Sequence, residues 1–220
     1  GLLLRRYGLD EPMARFERYS GSYPVQYDAD ERIDLCPFMK TDQPQDQEAL
    51  TGWIAQVLPE LPDGSLQVLD ALGSAVHDTL RYRRREAPGV QSPAETIRLG
   101  TGTCRDFALL FIEAARSLGF AARFVTGYLH DEVAGSESGE DMTGGGATHA
   151  WADVFVPGAG WVEFDPTNRI FESRNLIRVA KTRTPSQALP VVGTFVSQGG
   201  HLLGLQVAVR VVRLDESAVG

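Results

Sequence analysis

Three side chains of the 220-residue chain could together carry acyl-transfer chemistry: the thiol of Cys104, the imidazole of His149 and the carboxylate of Asp165. Cys104 follows Gly100-Thr101-Gly102-Thr103 and opens a run in which Phe107, Ala108, Leu110, Phe111, Ala114, Ala115 and Leu118 recur at helical spacing. Gly119 is placed to terminate that helix. A cysteine in the first turn meets unpaired backbone N–H groups and the positive end of the helix dipole, both of which favour a thiolate. Thr101, Gly102 and Thr103 keep the surroundings small, so a substrate can approach the backbone closely. The amide N–H of Cys104 is the natural first donor to an oxyanion. The alternative is that Cys104 is only a small buried hydrophobe.

Residues 148–156 and 161–165 alternate apolar and polar positions around Pro157-Gly158-Ala159-Gly160, which predicts a β-hairpin. Pairing Phe155 with Trp161, or Val156 with Val162, places Ala150, Ala152, Val154, Val156, Val162 and Phe164 on one apolar face. The other face then carries His149, Trp151, Asp153, Phe155, Trp161, Glu163 and Asp165, whereas a one-residue slip would separate His149 from Asp165. A histidine oriented by a carboxylate on the neighbouring strand is the second half of a Cys-His-Asp triad. The competing reading of Asp165 is a buried carboxylate that serves backbone amides alone. His130 is a rival base without a comparably placed carboxylate, and His201 stands in a glycine-rich turn. His77 and Asp78, adjacent on a predicted helix, diverge and read as a surface pair.

The segments GTGTCRDFALLFIEAARSLGFAARFVTGYL and THAWADVFVPGAGWVEFDPTN resemble the bacterial transglutaminase-like cysteine-enzyme superfamily, with motifs around Cys104, His149 and Asp165 in the family's order. The resemblance is close over 92–168 and looser beyond. It implies an α+β, papain-like core, with the nucleophile on a helix N-terminus and His and Asp on adjacent strands of an antiparallel sheet. It also implies acyl transfer on a peptide bond or carboxamide, by hydrolysis or transamidation. Tyr82 lies where the family has an aromatic residue before the nucleophile, so Tyr82, Thr103 and Trp151 are expected at the substrate. Two alternatives remain: a thioester-dependent acyltransferase using the same triad, and a non-catalytic binding module that kept the fold.

The remaining elements must position these groups. A helix is predicted from Glu48 to Leu58, and another from Ser65 through Leu80. A short one over 93–99 should be capped by Ser92, with Pro93 at its first position, Glu95 completing a capping box and Gly100 at its end. A strand over 121–129 should lie beside the hairpin. Tyr82 is followed by Arg83, Arg84 and Arg85, read as a solvated face with recognition of an acidic substrate as the lesser reading. Residues 131–146 hold five acids, no base and five glycines, and read as a surface loop or lid. Phe16, Tyr19, Tyr23, Val25 and Tyr27 suggest short strands, and Cys36 reads as structural. The resemblance implies the final part of an N-terminal β-rich region over 1–47 and a catalytic core over 48–175, and strands over 176–220 are expected to extend the core sheet.

Composition bounds the partners. With 43% hydrophobic and 23% charged residues the chain reads as a globular protein with a sizeable core. A formal charge of −8 argues against general nucleic-acid binding, and no apolar run reaches membrane-helix length. A peptide or protein substrate is expected, with oligomeric state left open. There is no HExxH motif, spaced Cys/His set or phosphate-binding glycine motif, so no metal or organic cofactor is expected. Two cysteines do not make a disulfide framework, which fits a reducing, cytoplasmic setting.

Overall fold

The apolar run after Cys104 forms the centre of the molecule. In the computed structural model, which describes residues 21–85, 89–129, 148–173, 175–189 and 196, it is the helix α5 (Cys104–Ser117). Cys104 and every residue from Asp106 through Arg116 are buried. The sequence pattern predicts one wide apolar face, and the helix is enclosed on nearly all sides. Its polar members Asp106, Glu113 and Arg116 must therefore be satisfied internally, because an unpaired buried polar group costs about 1–3 kcal/mol.

Both ends of α5 are tied by such groups. At the C-terminal end Arg116 donates to the Phe38, Ala122 and Arg183 carbonyls and pairs with Asp42 (2.8 Å) and Glu113 (2.7 Å). Glu113 also accepts the Asp42 and Gln43 backbone N–H groups. Burial still pushes its carboxyl above the usual range, although Arg116 and those amides oppose the shift. Ser117 ends the helix and Gly119 follows at φ 92°.

Ahead of α5 lie α1 (Ala29–Met39), α2 (Gln47–Val57), α3 (Ser65–Thr79) and α4 (Pro93–Leu99). Ser92 caps α4 by accepting the Glu95 N–H, and Gly100 closes it at φ 63° in the left-handed region. Two short strands, β1 (Arg81–Tyr82) and β2 (Thr101–Gly102), pair in parallel, Tyr82 against Gly102.

Five antiparallel strands form the main sheet: β3 (Ala121–Leu129), β4 (Thr148–Val156), β5 (Gly160–Asp165), β6 (Ile170–Phe171) and β7 (Leu176–Thr182), in the order β6-β5-β4-β3-β7. Phe155 pairs with Trp161 and Val154 with Val162, the first of the two expected registers. Ala150, Ala152, Val154, Val156, Val162 and Phe164 accordingly pack into one core with Phe107, Ala108 and Phe111 of α5 and Leu69, Leu72 and Val76 of α3.

The opposite sheet face is closed at one end by α1. Tyr27 and Leu35 pack there with Ala121, Phe155 and Trp161. The Tyr27 hydroxyl accepts the Ala121 N–H and donates to the Phe155 carbonyl, bridging β3 and β4, and burial pushes its pKa up to about 12. Farther along, Arg123 and Arg178 pair with the fully buried Asp153, Arg178 also reaches Glu163, and Arg123 lies 3.9 Å over the Trp161 ring. An outward charge is thus kept on a buried face by direct partners.

One expectation about the N-terminal region is corrected. Tyr23, Val25 and Tyr27 lie in an extended segment whose single backbone bridge joins Ser22 to Gly64, and the next residues form α1 rather than strands. Asp28 and Glu31 supply a reciprocal capping box that starts this helix. Leu176 does enter the main sheet, whereas the strands expected over 191–196 (Val196 apart, which is exposed and in no strand) and 204–214, together with Phe16, Tyr19, His130, the 131–146 loop and His201, fall outside the described residues. Among those described, no helix is long and apolar enough to cross a membrane.

Candidate active site

Cys104 is the first residue of α5 and His149 the second of β4, so both stand at element ends. The loop before Cys104 is set by Asp106, whose side chain is fully buried. Asp106 Oδ2 accepts both the backbone N–H of Thr103 (2.8 Å) and its hydroxyl (2.9 Å). Asp106 Oδ1 accepts the Gln91 N–H (2.7 Å) and an Arg85 guanidinium N–H (3.1 Å). One carboxylate therefore joins the first turn of α5 to Arg85 and Gln91 and fixes the nucleophile's approach. Gly102 is required here, since a Cβ would lie 2.9 Å from Asp106 Cβ and 3.0 Å from the Phe107 ring.

On the sheet side, His149 Nε2 lies 2.8 Å from Asp165 Oδ2, and both side chains are fully buried. The same oxygen accepts the Asn168 Nδ2 amide at 2.8 Å, while Oδ1 accepts the Thr167 N–H at 3.0 Å. Asp165 therefore serves the imidazole and its own turn together, which joins the two readings weighed from the sequence. Trp151 stacks on the His149 ring at 6.1 Å between centroids.

The other ring nitrogen, Nδ1, is buried without a hydrogen bond of ordinary geometry and is the one left for the thiol. Burial alone would lower the His149 pKa, but the Asp165 hydrogen bond and charge, reinforced by Cys104, push it up to about 10. The imidazolium form is thus favoured through neutral pH. Cys104 is 8% exposed, so a reactant reaches the sulfur along a narrow path.

The turn carrying Asp165 is held from behind. Arg169 adopts φ 52°, in the left-handed region that a non-glycine residue enters at a cost. Its guanidinium reaches Ser74 Oγ at 3.1 Å, and His77 Nδ1 lies 3.0 Å from the Thr167 carbonyl. Asp78, 3.8 Å from Arg169, adds an exposed contact. His77 and Asp78 are a surface pair as expected, with the added task of bracing this turn. A small cavity of about 20 Å³ between Leu69, Gly73, Phe164 and Pro166 backs onto Asp165.

The other expected site residues divide. Tyr82 is 38% exposed beside the nucleophile loop, where burial and then Cys104 raise its pKa. Thr103 stands next to the thiol, but its hydroxyl is committed to Asp106. Trp151, expected to shield the site or pack against the substrate, is completely buried with Val125, Leu129 and Leu176 and stacks on the imidazole, the shielding position of those two. Strand pairing explains this: Trp151 lies opposite Val125, and the adjacent Gly127 leaves the space its ring fills. The sequence supports a structural role for Asp106 without naming its partners, and it does not single out Asn168 as a positioning group. Asn168 was legible only as part of the Asp165-Pro166-Thr167-Asn168 turn, and Asp106 only as an acid in a first helical turn. Cys36 is exposed and unpaired. Among the described residues no group of three or more His, Cys, Asp or Glu side chains converges to hold a metal ion.

A cysteine at a buried helix start, facing a His-Asp pair on an antiparallel sheet, defines a papain-like α+β protein. Residues 54–166 match the transglutaminase-like superfamily, and the chain belongs to that family. It is 30% identical over 192 residues to the uncharacterized protein Rv2569c of Mycobacterium tuberculosis, covering 85% of this chain and 58% of that protein. The chain thus spans little more than half the length of that relative. Over 70 residues it is 39% identical to the uncharacterized protein YebA of Bacillus subtilis, covering 30% of this chain and 9% of that one. Among solved structures, a candidate cysteine protease from Cytophaga hutchinsonii superposes with a TM-score of 0.59 at 22% identity, over 79% of this chain and 54% of that one. That likeness concerns the fold.

Proposed function

We propose that the protein is a cysteine-dependent acyl-transfer enzyme acting on a peptide bond or carboxamide. The observation that carries this reading is the fully buried His149–Asp165 pair at 2.8 Å, with the imidazole also acted on by Cys104. A binding module gains nothing from burying imidazole and carboxylate against a thiol, an arrangement that is costly unless fully paired.

The reactive state of this reading pairs a Cys104 thiolate with the protonated His149 imidazole. The thiolate attacks the carbonyl carbon, forming the C–S bond, and the carbonyl oxygen becomes an oxyanion. The Cys104 N–H, the first unpaired donor of α5, faces that charge. The tetrahedral intermediate collapses as His149 gives its proton to the departing amine, leaving a thioester and neutral imidazole. Water or a second amine then attacks the thioester, transfers a proton to His149 and restores the pair. Asp165 keeps the imidazole oriented throughout, and Asn168 and Thr167 keep Asp165 oriented. A peptide or protein substrate and a reducing, cytoplasmic setting belong to the same proposal.

The test is a set of peptide amides incubated with and without an added primary amine, followed by ammonia or amine release and by the mass of Cys104. Release that disappears in Cys104→Ala and in His149→Ala supports the reading. Release unaffected by either substitution contradicts it.

A further inference from the structure

Four arginines occupy positions 81, 83, 84 and 85 of a chain whose formal charge is −8. Such a strip beside a thiol is out of keeping with the surface as a whole, and the structure gives its members different tasks. Arg85 turns inward to the buried Asp106 carboxylate at 3.1 Å and belongs to the framework of the nucleophile loop. The Arg81 and Arg83 backbone N–H groups donate to the Gly100 and Gly102 carbonyls, at 2.9 and 2.8 Å. Residues 81–83 therefore run directly alongside the loop that delivers Cys104 two positions after Gly102.

Along an extended chain, Tyr82 and Arg84 share one side and Arg81 and Arg83 the other. Tyr82, half exposed, pairs with Gly102 two residues before Cys104; burial and then the Cys104 charge raise its pKa, and Arg84 opposes the rise. Arg84 is exposed, and no acid pairs with it among the described residues. A cation that pairs with no described acid, one residue beyond the Arg83 N–H bond to the Gly102 carbonyl, is suited to receive a carboxylate.

We propose that Arg84, set beside Tyr82 at the mouth of the Cys104 site, forms an anion subsite that selects acidic peptides, with a carboxylate next to the amide under attack. This rests on the acyl-transfer reading and adds its substrate class. The subsite ranks anionic over neutral reactants through charge, so its effect fades as salt screens it.

The experiment compares two small electrophiles that differ in one charge. Rates of Cys104 alkylation by iodoacetate and by iodoacetamide are measured at pH 7 in a Cys36→Ala background, and their ratio is taken. The ratio should fall roughly threefold to fivefold in Arg84→Gln, the range open to a single exposed charge pair. It should fall further in Arg84→Glu and hold in Arg81→Gln, and the difference between Arg84→Gln and its parent should vanish near about 1 M salt. An unchanged ratio in Arg84→Gln, or an equal fall in Arg81→Gln, overturns the subsite while leaving the chemistry intact. Parent protein that reacts with neutral iodoacetamide no faster than a free thiol overturns the acyl-transfer reading itself, and the two failures are told apart by which reagent reports them.

Discussion

His149 Nε2 and Asp165 Oδ2 lie 2.8 Å apart, and both side chains are fully buried. Two consequences follow from burial at that distance: the proton on the imidazole is held tightly, and any loss on one side strands a charge on the other. The same contact therefore bears on stability and on the reactivity of Cys104.

The first consequence is a pH dependence of stability. The His149 pKa rises from 6.5 to about 10 on folding, because Asp165 and Cys104 outweigh burial. A raised folded-state pKa makes a stabilising contribution that is full below the unfolded value and is lost as pH climbs through the folded one. Unfolding free energy should accordingly decline between pH 6.5 and about 10. Urea titrations across that window should show the decline in the parent and a shallower one in His149→Ala.

Asn168 acts through Asp165. Its amide and the His149 imidazole share Asp165 Oδ2, each at 2.8 Å. Asn168→Ala should slow Cys104 alkylation at pH 7 by about tenfold, the scale of losing one orienting hydrogen bond, and shift the pH profile of the rate. Asp165→Asn should slow it further. A merely structural Asn168 would change the melting temperature and leave the pH profile in place.

Asp106 ties the nucleophile loop to Arg85 and Gln91. Asp106→Ala leaves the Thr103 and Gln91 N–H groups and Arg85 without their common acceptor. A loss of about 3–5 kcal/mol in denaturant unfolding is expected, as when one member of a buried ion pair is removed.

Two glycine substitutions should have opposite signs. A Cβ on Gly127 would lie 2.0 Å from the Ile177 carbonyl oxygen and 2.8 Å from the Trp151 ring. Gly127→Ala must push β3 and β7 apart and should cost at least about 2 kcal/mol. Gly52, exposed within α2, has nothing within 4 Å of a Cβ. Gly52→Ala should raise stability by about 0.5–1 kcal/mol through helix propensity.

Much of this arrangement was legible beforehand, for identifiable reasons. Ser92, Pro93 and Gly100 mark both ends of α4 because capping and left-handed closure are local chemistry. The hairpin register was readable because a slip would turn every apolar side chain of β4 away from α5. Alternation put Trp151 on the His149 face but left its depth open, because its burial depends on Gly127 and Leu176 of other strands. The α1 helix escaped notice because its apolar face is slight: Leu35 is its one fully buried side chain, and Pro37 stands within it. Polar positioning groups were least visible. Asp106 and Asn168 take their roles from partners that only the folded chain brings near.

The central claim is that His149 and Asp165 activate the Cys104 thiol. It is tested most directly by the rate of iodoacetamide alkylation against pH, in Cys36→Ala protein with and without His149→Ala. Fast labelling that persists well below pH 8 and is lost with the imidazole is the predicted result. Slow labelling that titrates near the free-thiol value of about 8.5 and ignores His149 would contradict it.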